Sequence, residues 1–306
     1  MILSYTVPEG PDRKVYTVLR RELKASAAFV RRLKLSDALY VNGMPAFTDR
    51  ILHPGDVLTA DVGACEPESD LIPEVGPLSV LYEETGLLAV NKPAGRLVHP
   101  THSKNGGTLC NFAAGYMRDQ GYPAVVHAVN RLDRDTSGVV LLAKNSYMHA
   151  VLTDALRDPS ARKTYLAVAC GLMPEAEGTI DAPIVRPDPT DMRRSIRADG
   201  QPSITHWTVL AEAEGLSLLS LIPETGRTHQ LRVHCAYLGC PLLGDRLYGT
   251  PSSLALGTRY GVHAHLLHAS RLDFPHPLTG DRISVAAPVE RQDLSSVLAL
   301  FSAQKW

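Results

Sequence analysis

The amino-acid sequence predicts an α+β fold: a mixed, largely antiparallel sheet over residues 75–306, preceded by a small α/β module over residues 1–74. Three observations carry this. After residue 75, short strand-like apolar runs outnumber helical ones. Several follow one another with no helix between them, which disfavours a doubly wound parallel sheet. The acidic, proline-bearing stretch 66–77 has neither the helical nor the strand period and reads as a linker, so the boundary is placed near residue 75. A chain of 306 residues is long enough for one domain with a sizeable core and a small accessory module.

From 16 to 62 the pattern reads as helix, short helix, then strands. Helical spacing runs through VLRRELKASAAFVRRLKL (18–35), and LYVNGMPAF (39–47) sets an Asn-Gly turn between apolar runs. Beyond the linker, strands are predicted at LSVLYEE (78–84), VVLLAK (139–144), KTYLAVAC (163–170), THWTVLAEA (205–213) and SLLSLI (217–222). Helices are predicted near 146–157, 228–238 and 291–303. There is no internal repeat at solenoid periods and no low-complexity tract.

With 44% hydrophobic and 21% charged residues, the composition is that of an ordinary globular protein rather than a disordered or fibrous one. The first residues, MILSYTVPEGPDRK, lack the basic start and apolar run of a signal segment. No apolar stretch reaches membrane-spanning length, so the expectation is a cytoplasmic protein with no membrane contact. Cysteines 65, 110, 170, 235 and 240 are scattered and never form a CxxC pair, which argues for small core fillers rather than disulfides or a thiolate metal cluster. The net charge of −1 hides a local excess: residues 12–50 hold nine Lys or Arg against four acidic residues, offset by the acidic segment 65–74. Arg20, Arg21, Arg31, Arg32 and Lys34 are the candidate polyanion contacts in that cluster.

Three strings carry possible chemistry. Asn130-Arg131-Leu132-Asp133-Arg134-Asp135-Thr136-Ser137-Gly138 alternates acids and arginines directly before an apolar strand. If extended, it projects Arg131, Asp133 and Asp135 to one side and Leu132 and Arg134 to the other. A carboxylate beside guanidinium groups suits a nucleophile, and a solvated, salt-bridged turn is the plainer alternative. GRTHQLRVH (226–234) reads as a turn entering a helix with Thr228 at the N-cap, His229 and Arg232 three apart on one face. Such a face favours an anionic substrate or a carboxylate, and an ordinary amphipathic helix is the alternative. His263, His265 and His268, with His276 nearby, raise a zinc-dependent hydrolase, but no HExxH, clustered Cys or acidic residue in the run supports it. Lys92-Pro93-Ala94-Gly95 is a strand running into a turn, and no GxGxxG, P-loop or GxSxG is present.

Taken together and in order, these strings resemble the RluA/RluD-type family of bacterial pseudouridine synthases. LLAVNKPAGRLVHP (87–100) is similar to its opening motif, RLDRDTSG (131–138) to its catalytic motif and KTYLAVACG (163–171) to its tyrosine motif. GRTHQLRVH, LLGDRLYG (242–249) and LHASRLDFPHPLTG (267–280) continue the correspondence, which spans residues 78–290. The histidines His268 and His276 fall within a family segment that is not a metal site. The N-terminal segment resembles the small RNA-binding module first named from a ribosomal small-subunit protein, through its Val41-Asn42-Gly43 turn and Gly55-Asp56. In one respect the chain departs from the family: Asn130 stands where many members carry a histidine before the Arg-Leu-Asp triplet.

The resemblance implies a catalytic domain of pseudouridine synthase type that isomerises uridine in structured RNA to pseudouridine, with Asp133 rather than Asp135 as nucleophile. It implies Arg232 as the arginine that pairs with that aspartate, where a lysine would lack the planar fork. Tyr165 corresponds to the active-site tyrosine, with a face for an extruded base. Lys92, Arg131, Thr136, Gly138, His229 and Gln230 belong to the supporting motifs, and Arg134 is placed to touch phosphate. The implied partner is RNA, ribosomal before transfer RNA, with no cofactor, no metal and no obligate protein partner. The motifs do not choose between ribose and uracil as the point of attack. A non-enzyme alternative, an RNA-binding or ribosome-assembly factor that has lost turnover, runs against the intact Asp133, Tyr165 and Arg232.

Overall fold

Two strands buried along their whole length, Leu87–Lys92 and Ser137–Ala143, run side by side through the middle of the molecule. Continuous apolar runs such as SGVVLLA are what a strand covered on both faces requires. The computed structural model describes residues 1–66, 69–101 and 105–301. Alternate side chains of the two strands serve two cores, as the period of two demands. Leu88, Val90, Val140 and Leu142 meet the helix Leu109–Asp119 through Leu109, Ala113 and Met117. Leu87, Ala89, Val139 and Leu141 face the other way, onto the helix Ser146–Ala155 and the N-terminal residues.

The ten-stranded sheet runs, in spatial order, Glu177–Asp181, Ile204–Ala213, Leu216–Pro223, Arg162–Cys170, Leu267–Pro275, Ser137–Ala143, Leu87–Lys92 and Ser79–Glu83. Arg282–Ala286 also pairs with Leu267–Pro275, and His127–Ala128 with Ser137–Ala143. Among the described residues, its only parallel pairing joins Ser137–Ala143 to Leu267–Pro275, through Ser137↔His268 and Gly138↔Ala269. That joint unites the two halves of the sheet. It needs glycine: Gly138 has φ +110°, and a Cβ there would lie 2.2 Å from the Ala269 carbonyl oxygen.

The N-terminal residues form a four-stranded antiparallel sheet in the order Ile2–Thr6, Val57–Asp61, Leu39–Val41, Met44–Pro45, with helices Val15–Arg21 and Ala27–Leu35. The helix and second helix expected in this segment form, and the chain breaks between them at residues 22–26. Lys24 adopts φ 51°, and the Ser26 side chain caps the second helix by accepting from the Phe29 N–H at 3.1 Å. The Asn42-Gly43 turn forms as expected, both residues at positive φ in a two-residue hairpin. This module shares one hydrophobic core with the large sheet. Phe29 meets Tyr147 at 5.2 Å between ring centroids, and the Tyr147 hydroxyl donates to the Leu23 carbonyl at 2.7 Å.

The five predicted strands all form, within two residues of their expected ends. The helix expected at 146–157 is Ser146–Ala155. The C-terminal helix covers Gln292–Leu298 and continues as the 3₁₀ turn Ala299–Phe301; residues 302 and 303 of the expected span, like Pro67 and Glu68 of the expected linker, lie outside the described residues. Two expectations are corrected, and the histidine run does not lie on one strand. Thr228 is not an N-cap, because the chain turns through left-handed His229 and the helix starts one residue later, as Gln230–Tyr237. Residues 131–136 form a loop ending in a turn rather than a strand, so strict alternation of Arg131, Asp133 and Asp135 does not apply. His263 and His265 precede the strand that contains His268, so the run does not share one strand face. Among the described residues, no helix is long and apolar enough to cross a membrane.

Candidate active site

The loop 130–136 sits at the parallel joint, and buried groups hold its backbone from several sides. Asn130 pins its start: the side-chain oxygen accepts from the Leu141 N–H at 2.7 Å, and the amide donates to the Val139 carbonyl at 3.3 Å. The fully buried Lys92 donates to the carbonyls of Pro93 (3.0 Å), Arg96 (2.8 Å) and Arg134 (2.8 Å). Burial pushes its ammonium down to about 7, against the opposing charges of Asp135 and Asp133. Arg291 donates to the next carbonyl, that of Asp135, at 3.1 Å, and to those of His265 and Ala264, each at 2.8 Å. Thr136, buried, shares a 2.9 Å hydrogen bond with the Nε2 of His265. Lys92 and Arg291 thus hold consecutive carbonyls of the turn that follows Asp133.

Across from this loop, the strand Leu216–Pro223 leads into a turn and the helix Gln230–Tyr237. Gln230, 4% exposed, locks that turn. Its oxygen accepts from the Arg227 N–H (2.9 Å) and the Thr225 hydroxyl (2.8 Å), while its nitrogen donates to the Ile204 carbonyl at 2.9 Å. Within the first turn of the helix, Arg232 is buried and ion-paired to two carboxylates. Nε and Nη2 donate to Asp245 at 2.7 and 2.8 Å, and Nη1 donates to Asp133 Oδ2 at 3.2 Å. Burial works against the Asp245 carboxylate, but the Arg232 hydrogen bonds outweigh it and hold its pKa below the usual range. The N–H groups of Leu247 and Tyr248 complete its shell at 2.9 and 3.2 Å.

Asp133, Tyr165, Arg131, Arg227, His229 and Arg232 line one cleft, with about 490 Å³ of empty space counted out to solvent. Tyr165 stands on the strand Arg162–Cys170 immediately after a bulge in its pairing with Leu267–Pro275, the kind of irregularity that re-aims a side chain. Burial, with the Asp133 charge adding to it, raises the Tyr165 hydroxyl well above its ordinary pKa. His229 lies with Nε2 3.9 Å from Asp133 Oδ2 and Nδ1 2.8 Å from the Tyr248 oxygen. Burial lowers its pKa, with Asp133 opposing. An acidic group flanked by an arginine, an aromatic hydroxyl and an imidazole can attack, hold and stabilise charge on a planar base.

The structure brings Asp133, Arg232, Tyr165 and His229 together and puts Lys92, Thr136, Gly138 and Gln230 in the scaffold around them. Arg131 is exposed at the cleft, and Arg134 is exposed and pairs with Asp135 at 3.1 Å. Arg20, Arg21, Arg31 and Lys34 are exposed on the N-terminal helices. Arg32 is used within the fold, donating to the Cys65 carbonyl at 3.1 Å and to Ser146 Oγ at 2.7 Å. Sequence reasoning missed Asp245, Tyr248 and Arg291. Asp245 and Tyr248 lie in LLGDRLYG, a motif match that assigns no roles to its residues, and Arg291 carries no motif signal. The histidines do not converge: His265 bonds Thr136, and His268 bonds Ser137 Oγ at 2.9 Å and the Ala287 carbonyl at 3.1 Å. Among the described residues, no three His, Cys, Asp or Glu gather to hold a metal.

The family described as RNA pseudouridylate synthase matches residues 86–237. The RNA pseudouridine synthase YhcT of Bacillus subtilis is 38% identical over 289 residues, 94% of this chain and 93% of its own. Ribosomal large subunit pseudouridine synthase D of Xanthomonas campestris pv. campestris is 37% identical over 89% of this chain and 84% of its own. Among solved structures, human RNA pseudouridylate synthase domain containing 4 superposes with a TM-score of 0.59 at 26% identity, covering 72% of this chain and 92% of that one. The chain is therefore a member of the RNA pseudouridine synthases of RluA/RluD type, isomerases that modify RNA.

Proposed function

We propose that this enzyme acts on uridine in structured RNA, large-subunit ribosomal RNA before transfer RNA, with Asp133 as nucleophile. The observation that carries the assignment is the position of Asp133: it lines the cleft, a quarter exposed, 3.2 Å from a buried guanidinium and on the same cleft as Tyr165. Asp135 does not share that position. Its carboxylate is held by Arg134 through two 3.1 Å hydrogen bonds, and it is not among the residues that line the cleft. A base inside a folded RNA must leave its stack to reach such a cleft, where the Tyr165 ring offers it a face. Arg232 gives the nucleophile its direction by a charge-assisted hydrogen bond.

The ribosomal target is supported by the relatives named ribosomal large subunit pseudouridine synthase D, which match over most of their length. The exposed Arg20, Arg21, Arg31 and Lys34 fit a phosphate-contacting role for the N-terminal module. Asp133→Asn keeps the shape and removes the anion, so turnover of a uridine-containing RNA should vanish while RNA binding persists. Turnover near that of the wild type would overturn the assignment, and Asp135→Asn should be far milder. Mapping pseudouridines in large-subunit ribosomal RNA from cells with and without the gene tests the target: no ribosomal site lost would count against it.

A further inference from the structure

The residue after Thr228 combines three features that the nucleophile, its arginine and the tyrosine do not account for. His229 occupies the left-handed region, φ 59° and ψ 16°, at the N-terminus of the helix Gln230–Tyr237, yet its side chain caps no helix N–H. Backbone strain of this kind in a residue that does no local capping points to a task in the site. The side chain is 8% exposed and lines the cleft, Nε2 3.9 Å from Asp133 Oδ2.

The hydrogen-bond geometry also bears on where the imidazole proton sits. The Tyr248 oxygen accepts the backbone N–H of Arg194 at 2.9 Å and lies 2.8 Å from His229 Nδ1. The backbone N–H occupies one lone pair of that oxygen and leaves its hydroxyl hydrogen free to be donated to Nδ1. A neutral ring that accepts at Nδ1 carries its hydrogen on Nε2. The Tyr248 ring stands edge-on to the imidazole at 5.7 Å and 78°, which holds the ring plane.

We infer that His229 is a catalytic residue: its Nε2–H donates a hydrogen bond to a carbonyl oxygen of the extruded uracil. The inference rests on Asp133 as nucleophile. Whether Asp133 attacks the ribose or the uracil ring, the electron pair of the broken or added bond moves onto the uracil, and its carbonyl oxygens take up negative charge. A fixed donor aimed at developing charge stabilises it without reorganisation, and no proton need leave the ring. Tyr248, acting through His229, is a positioning residue.

The test uses the full chain. His229→Asn tolerates the left-handed backbone and can still meet Tyr248, but it places no donor where Nε2 was. Its single-turnover rate at saturating RNA should fall by about 10²-fold, the loss seen when one such donor is removed, with RNA affinity and melting temperature little changed. His229→Gln, whose amide reaches further, should recover part of the rate. In ¹⁵N-histidine spectra of the wild type, His229 should carry its proton on Nε2, and Tyr248→Phe should shift it towards the other tautomer. Asp133→Asn is measured alongside: if it turns over, the nucleophile reading fails. An inactive Asp133→Asn together with a wild-type rate for His229→Asn overturns the histidine proposal alone. A proton found on Nδ1 in the wild type overturns it independently of any variant.

Discussion

Asp245 grips Arg232 with both carboxylate oxygens, at 2.7 and 2.8 Å, and the opposite edge of the guanidinium reaches Asp133 through Nη1 at 3.2 Å. The fork is oriented before any RNA arrives, because Asp245 is itself held by two backbone N–H groups of the loop that follows it. Asp245 is 1% exposed and Arg232 7%.

Asp245→Asn should therefore harm both stability and chemistry. Removing one partner of a buried ion pair costs about 3–5 kcal/mol, and in a chain of this size that lowers Tm by roughly 10 °C. The single-turnover rate should fall with it, since Arg232 can then swing away from Asp133. Adding Asp245→Asn to Arg232→Met should lower the rate little further, because the first change acts through the arginine. Rate losses that multiply in the double variant would mean Asp245 works some other way.

Gly138→Ala should be among the most damaging single-methyl changes in the protein. The new Cβ would meet the Ala269 backbone at 2.2 Å in a conformation that side chains rarely adopt. Neither strand can retreat without parting the joint, so a loss of about 4 kcal/mol or more is expected. Urea denaturation gives the measurement: a midpoint close to the wild type would show that the joint tolerates the methyl by shifting.

What was legible in the sequence follows the periods. The strand VVLLAK and the run THWTVLAEA announce themselves because one is buried on both faces and the other alternates. Helix Leu109–Asp119 was not predicted, and neither was Pro251–Arg259. Each opens on a capping box, but Asn111 and Ser253 stand where Glu or Gln gives the recognisable signature. The pair Asp133 and Arg232 was reachable only through family motifs, since 99 residues separate them. The support of the loop by Arg291 was not reachable at all: its guanidinium meets backbone carbonyls, which no residue pattern records. Arg32 shows the converse, a basic residue in a basic cluster that the fold uses internally.

Stability should fall on acidification between pH 6.5 and 4. Burial depresses His265 to about 4, and it also lowers His229, His234 and His268. The unfolded chain binds protons from about 6.5 downward while the folded chain does not, so the stabilisation is complete above 6.5 and is lost as pH falls through the folded value. His265 alone accounts for about 3 kcal/mol across that window. Above pH 9 the sign reverses. Burial raises the thiols of Cys110 and Cys235 to about 12, so unfolding then releases protons and is favoured by alkali. Urea midpoints measured from pH 4 to 10 should describe a dome, and His265→Gln should flatten its acid side. An acid limb unchanged in that variant would remove His265 from the account.

The last prediction separates two roles within the N-terminal basic cluster. Arg20, Arg21, Arg31 and Lys34 are exposed, so changing all four to Gln should weaken RNA binding and its salt dependence without slowing the chemistry at saturating RNA. Each side chain that no longer neutralises a phosphate should reduce the slope of log affinity against log salt by roughly 0.7 on single strands and 0.9 on duplex. Arg32→Gln should behave differently. Its guanidinium bonds the Cys65 carbonyl and Ser146 and lies 5.6 Å from the centroid of the Phe29 ring, so melting temperature should fall while the salt slope holds. Deleting residues 1–74 is a poorer test, because it would strip Phe29 and its neighbours from the core they share with Tyr147, Val139 and Leu141 and destabilise the whole sheet. Point charges keep that core intact. A salt slope unchanged in the fourfold variant would deny the module a phosphate-binding role, and a slope diminished in Arg32→Gln with stability unchanged would mean that Arg32 reaches RNA after all.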